Sequence, residues 1–145
     1  MKADAKTKAE VLQTLRGMWK AYGRLDVDGV LACYAPDPDI VVFGSGADEE
    51  YVGPKQAKKG LKRDFSQVRS VKVRLAKVRI SAAGKVAWLA ADCLFTAHAA
   101  GCDMEMAGRL TAVLEKRKGC WLIMQSHFAM PFAGQAAGQS FPGAG

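Results

Sequence analysis

Histidine is nearly missing from this chain, with two among 145 residues, and thiols are limited to four cysteines. Cys33, Cys93, Cys102 and Cys120 show neither a CxxC pair nor Cys/His ligand spacing. Neither a zinc centre nor a disulfide framework is therefore expected, and the cysteines read as reduced thiols. No stretch approaches the roughly 18 apolar residues of a membrane span. The opening Met1 to Glu10 alternates charge with alanine where a signal peptide would carry an apolar run. The expectation from these absences is a cytoplasmic protein with no metal and no membrane association. Acidic residues are also missing where bases crowd. From Lys55 to Lys85 there are eleven Lys and Arg and one acidic residue, Asp64, which places most of the +7 formal charge in one middle segment.

What is present suits one globular core, since half the residues are hydrophobic and a chain of this length buries roughly 70% of its unfolded surface. Val11, Leu12, Leu15, Met18, Trp19 and Tyr22 fall at helical spacing, with Asp4 as a candidate N-cap and Gly23 as a stop. Asp26 caps a second, short helix through Val30 and Tyr34, ended by Pro36 and Pro38. Ile40 to Phe43 is a β-branched and aromatic run that predicts a strand, and residues 44 to 53 read as an acidic loop. Pro54 opens a third helix, marked by Ala57, Leu61 and Phe65.

After Ser70 the period changes from 3.6 to 2. Four strands are expected, from about Val71, Val86, Asp103 and Cys120, with turns at Ala83-Gly84, Ala100-Gly101 and Lys118-Gly119. In the first of them the alternation flips near Ala76, and one extra residue there, a β-bulge, returns Lys72, Arg74, Lys77 and Arg79 to a single face. The fold class is therefore α+β, with about three helices covering one face of a mostly antiparallel sheet. Both parities of the later strands are apolar: Trp88, Leu94, Val113 and Ile123 on one, and Leu89, Leu110, Leu114, Leu122, Met124 and Phe128 among those on the other. The helix-free face is accordingly expected to pack on a second copy, giving a homodimer. Residues 1–132 form the expected domain, and the uncharged stretch 133–145 is expected to be a flexible tail.

Particular residues carry a resemblance. They are Trp19 and Tyr22, the segment through Asp26, Tyr34-Ala35-Pro36-Asp37, Val86-Ala87-Trp88, Gly108-Arg109-Leu110-Thr111, Gly119-Cys120-Trp121 and His127-Phe128-Ala129-Met130-Pro131. Over about residues 8 to 132 the chain resembles the NTF2-like superfamily, in its SnoaL-like, ketosteroid-isomerase-like branch. The resemblance implies a cone with a curved sheet wrapped around the helices and an internal pocket. Its functions include cofactor-independent isomerases, cyclases and dehydratases. The chain departs from that pattern at Ala129, where similar domains often carry a serine.

Register supplies the candidate site. A two-residue Ala100-Gly101 turn sets Asp92 opposite Arg109, and a three-residue Arg117 to Gly119 loop sets Arg109 opposite His127. Asp92 and His127 are the candidate catalytic pair for proton transfer, and Arg109 with Trp19, Tyr34 and Trp88 the candidate ligand-binding set. The same row also reads as a structural ion pair that fixes register, because a guanidinium beside Asp92 would hold its carboxyl low. The expected ligand is a small apolar, carbonyl-containing or anionic molecule. Nucleic acid is not expected, since no aromatic residue interleaves with the basic strip. The alternative function is a dimeric scaffold that binds a protein partner.

Overall fold

The structure is a computed structural model and describes residues 1–143, so the last two residues of the expected tail lie outside the described residues. Its elements run α1 (Ala5–Gly23), α2 (Val27–Leu31), β1 (Val41–Phe43), β2 (Glu50–Val52), α3 (Gly53–Ser66), β3 (Ser70–Ala83), β4 (Val86–Ala99), β5 (Cys102–Arg117) and β6 (Cys120–Ala129). No described helix is long and apolar enough to cross a membrane.

Local chemistry starts each helix. The Asp4 carboxylate accepts from the Thr7 backbone N–H at 2.7 Å to cap α1, and Asp26 accepts from Gly29 at 2.9 Å to cap α2. Pro54 sits in the first turn of α3, where its missing N–H leaves no intrahelical bond unmade. Helix α1 then buries Val11, Leu15 and Met18 of the predicted stripe, joined by Ala21, against the sheet. Beyond Ala129 the chain continues in turns, with Gln135 N–H donating to the Phe132 carbonyl.

The six strands lie in the order β2-β1-β6-β5-β4-β3, and every pairing is antiparallel except β1 with β6. The helices cover one face of this curved sheet, and Leu89, Ala91, Cys93, Phe95, Leu110, Ala112 and Leu114 form the core against them. The bulge near Ala76 is present: Ala76 pairs with Asp92 and Arg79 with Ala90, so β3 holds one more residue than β4 between them. Lys77 supplies it, in a left-handed conformation at φ 49°.

Three expectations need correction. The stretch read as a loop contains β2, because three residues are too few to show an alternation. The β5–β6 turn holds two residues, not three: Arg117 pairs with Cys120, and Lys118 and Gly119 both take positive φ, the geometry of a type I′ hairpin. A second bulge then places Met124 as the extra residue of β6, since Val113 pairs with Gln125 but Leu114 with Ile123. Two consequences follow. Ile123 joins Leu110 and Leu114 on the core face beside Trp121 instead of sharing a side with Trp88 and Val113, and Arg109 lies opposite Ala129 while His127 lies opposite Thr111.

Candidate functional site

A cavity of about 370 Å³ opens between the helices and the concave sheet face. Helix α1 brings Trp19 and Tyr22, α3 brings Gly60 and Asp64, β2 brings Tyr51, and the sheet closes the cavity with Phe95, Ser126 and Phe128. The aromatic wall is held by edge-on packing: Trp19 meets Tyr22 and Phe95 with ring centroids 5.4 and 5.3 Å apart. Tyr51 lies flat on α3 because residue 60 is glycine. A Cβ there would stand 2.5 Å from the Tyr51 ring.

Two polar pairs stand in this apolar wall. The Tyr22 hydroxyl donates to Asp64 Oδ2 at 3.1 Å, and the hydroxyls of Tyr34 and Ser126 share a hydrogen bond of 2.9 Å. Tyr34 is positioned by the chain leaving α2, which joins the edge of β6: Ala35 N–H donates to the Ile123 carbonyl, and Ile123 N–H to that of Cys33, each at 2.9 Å. Burial raises the Asp64 carboxyl above the ordinary carboxylate range, and this outweighs the opposing hydrogen bond from Tyr22. Burial also pushes the Tyr34 phenol up to about 12, and it raises Tyr22 further with help from the Asp64 charge. Both phenols are therefore neutral donors at physiological pH.

Among the described residues, the only buried side-chain polar atoms without a partner are Trp19 Nε1 and Tyr51 Oη. Both side chains line the cavity. The loop between β1 and β2, which lines the cavity through Gly44, Ser45 and Glu49, is tied to α3 by Arg63, which donates to Asp48 at 2.7 Å and to Glu49 at 2.9 Å.

Of the six residues expected to share a pocket, the cavity takes Trp19 and Tyr34. Trp88, Asp92, Arg109 and His127 stand on the opposite, helix-free face, since their strand neighbours Leu89, Cys93, Leu110 and Phe128 point inward. Asp92 does face Arg109 in register, as expected from the Ala100-Gly101 turn. Its ion pair is with Lys77, at 3.3 Å, and its side chain is 46% exposed, so no buried charge network forms there. His127 is exposed, with its ring 5.4 Å from that of Phe43. Trp88 borders a shallow groove on that face with Thr111, Val113 and Gln125.

Asp64 is not among the site residues expected from the sequence, although a signal for it is present. It follows Ala57 by seven residues and Leu61 by three, which puts it on the buried stripe of α3 rather than on the solvated lysine face. An acid at such a position, alone among eleven bases, is one whose burial serves something other than solubility.

The family model of the SnoaL-like domain matches residues 11–133. No curated protein matches the chain in sequence. Among solved structures, the chain is similar to an NTF2-like superfamily protein from Salmonella enterica, with 19% identity, 99% of each chain covered and a TM-score of 0.83. A candidate dehydratase of the NTF2-like family from Streptomyces avermitilis has 13% identity and a TM-score of 0.81, covering 90% of this chain and all of its own. A candidate calcium/calmodulin-dependent protein kinase II association domain from Xanthomonas campestris has 22% identity and a TM-score of 0.74, with 90% of this chain and 89% of its own covered. At these identities the likeness is one of fold.

Proposed function

Since the chain belongs to the SnoaL-like family and has the α+β cone of NTF2-like proteins, we propose that it binds a small, largely apolar molecule in the helix-side cavity and moves a proton on it through Asp64. The observation that carries this reading is the Asp64 carboxyl itself, raised by burial, bonded to Tyr22 at one oxygen, and set in an aromatic wall. A carboxyl whose affinity for a proton is increased is a stronger base when ionised and is closer to the operating pH. The second oxygen is the one available to the substrate. Tyr22 holds the carboxyl in place and follows its charge by strengthening its hydrogen bond as the proton leaves. Isomerisation, cyclisation and dehydration next to a carbonyl all begin with such a transfer, and side chains alone suffice for it. Trp19 and Tyr34 are lining residues in this reading, and the candidate dehydratase among the neighbours is compatible with it.

The helix-free face, with Trp88, Leu94 and Val113 half-buried and unpaired to any helix, serves as the homodimer surface in the same proposal. The likeness to a candidate association domain supports assembly through this fold. Sedimentation of the wild type and of Trp88→Glu tests it, the variant being expected to sediment as a monomer.

A thermal-shift panel of apolar ketones, ring alcohols and polyketide fragments tests the site, because a ligand bound only by the folded state raises Tm. Hits are then assayed for deuterium exchange next to the carbonyl. Exchange that survives Asp64→Asn would remove Asp64 from the proposal, and a panel with no hit would favour the scaffold reading.

A further inference from the structure

We infer that the cavity selects for charge: it takes a protonated amine carried on an apolar or aromatic body and rejects the matching carboxylate. The inference rests on the reading of this cavity as a small-molecule site and names the class of molecule; with an amine bound, Asp64 is its counter-ion and no longer the base for a proton on carbon. It starts from a contrast. The chain carries 21 Lys and Arg against 14 Asp and Glu, yet among the described residues no Lys, Arg or His lines the cavity, while Asp64 and Glu49 do.

The two carboxylates are not equivalent. Glu49 is compensated, since one oxygen accepts from Arg63 at 2.9 Å and the other from the Gly46 N–H at 2.8 Å. Asp64 is in no ion pair among the described residues, although Arg63 is its neighbour in sequence, because that guanidinium is turned to Asp48 and Glu49. The groups that face Asp64 are Tyr22 from α1, Glu49 from the loop, Tyr51 from β2 and Arg63 from α3 itself. Of these Tyr22 donates a hydrogen bond, Glu49 repels, and the pull of Arg63 is weaker than the push of Glu49. A carboxylate left this way, half-buried and without a cation, has room for a positive charge that the protein does not supply.

The walls agree with a cation. Trp19, Tyr22, Tyr51 and Phe95 surround the same space, and aromatic faces attract an ammonium most when water is excluded. A carboxylate ligand would meet Asp64 and Glu49 with no base to receive it, only the unpaired N–H of Trp19 and O–H of Tyr51, which carry no charge to offset the two acids. Arg109, the one base in the expected ligand-binding set, lies on the other face of the sheet.

Protons make the inference measurable. An ammonium binds the ionised form of Asp64, so at acidic pH its binding must first release the Asp64 proton, and affinity falls as pH is lowered through the raised carboxyl. An uncharged ligand has no such requirement. Calorimetric titration of the whole chain with tyramine, para-ethylphenol and para-hydroxyphenylpropionate keeps one body and changes one charge. Tyramine is expected to bind at least ~10-fold tighter than the phenol, the propionate weakest of the three, and the preference for tyramine is expected to shrink between about pH 7 and about pH 4. Asp64→Asn should bring tyramine and the phenol together; should that variant not fold, the wild-type pH profile decides alone. If the phenol or the propionate binds as well as tyramine, the charge selection is wrong while the small-molecule site stands. If none of the three binds but a neutral ketone of the panel does, the selection is again overturned; if nothing binds at all, the site reading falls with it.

Discussion

The hydroxyls of Tyr34 and Ser126 form a pair whose coupling can be measured. Among the described residues Ser126, 5% exposed, is the one buried polar residue, and its hydroxyl meets that of Tyr34 at 2.9 Å. Tyr34→Phe keeps the ring and strands the serine hydroxyl; Ser126→Ala strands the phenol. Each single change should cost about 1–3 kcal/mol, because a buried polar group without its partner keeps its full desolvation penalty. The double variant removes both groups and strands neither, so it should cost less than the sum of the singles by about 1–2 kcal/mol. In a domain of this size that coupling is about 3–8 °C in Tm. Urea unfolding of the four proteins, compared at constant m-value, reads it directly. Strict additivity, or single variants within about 0.5 kcal/mol of wild type, would show that both hydroxyls reach water in the cavity, and the reasoning from burial would be refuted.

Two further outcomes follow from the same charges. The raised carboxyl of Asp64 stabilises the fold fully below the unfolded-state pKa, and this contribution is lost as pH rises through the folded-state value; Asp64→Asn should therefore gain in urea midpoint relative to wild type as pH rises from about 3 to about 7, and a constant difference would contradict the burial of the charge. Arg109 is exposed and its register partner Asp92 is bound to Lys77, so Arg109→Ala should change stability by no more than about 0.5 kcal/mol. Calorimetry showing a loss of about 3 kcal/mol or more would restore the buried ion pair that the sequence allowed.

The fold was legible wherever one element was long enough for its period to show. The stripe from Val11 to Tyr22, the caps Asp4 and Asp26, and the change of period after Ser70 each correspond to an element with the expected partners. The bulge at Lys77 was legible too, because four basic residues on one strand record a parity flip that uniform apolar residues would hide. The second bulge, at Met124, was hidden for that reason: Leu122, Ile123 and Met124 are apolar on either side of the slip. Turn length failed on the same strand, since Lys118-Gly119 can close either a two- or a three-residue loop by composition alone.

The candidate site was less legible than the fold, and the cause is physical. The row Asp92, Arg109 and His127 was built from register, which settles which residues are neighbours across strands but not which face meets the helices. On β4 the two faces differ by subtler marks: Ala87, Ala91 and Ala97 point inward beside Leu89, Cys93 and Phe95, small residues leaving room where the helices and the cavity come close. On β5 Gly108 does the same, since a Cβ there would stand 2.4 Å from the Phe128 ring. Small residues alternating with large ones on one parity therefore mark the concave side, and polar residues on the other parity mark the side facing away. By that rule Asp92 faces outward and Asp64, on the apolar stripe of α3, faces inward. The acid that matters to the cavity is found by asking which charge breaks an apolar pattern, not which charges line up.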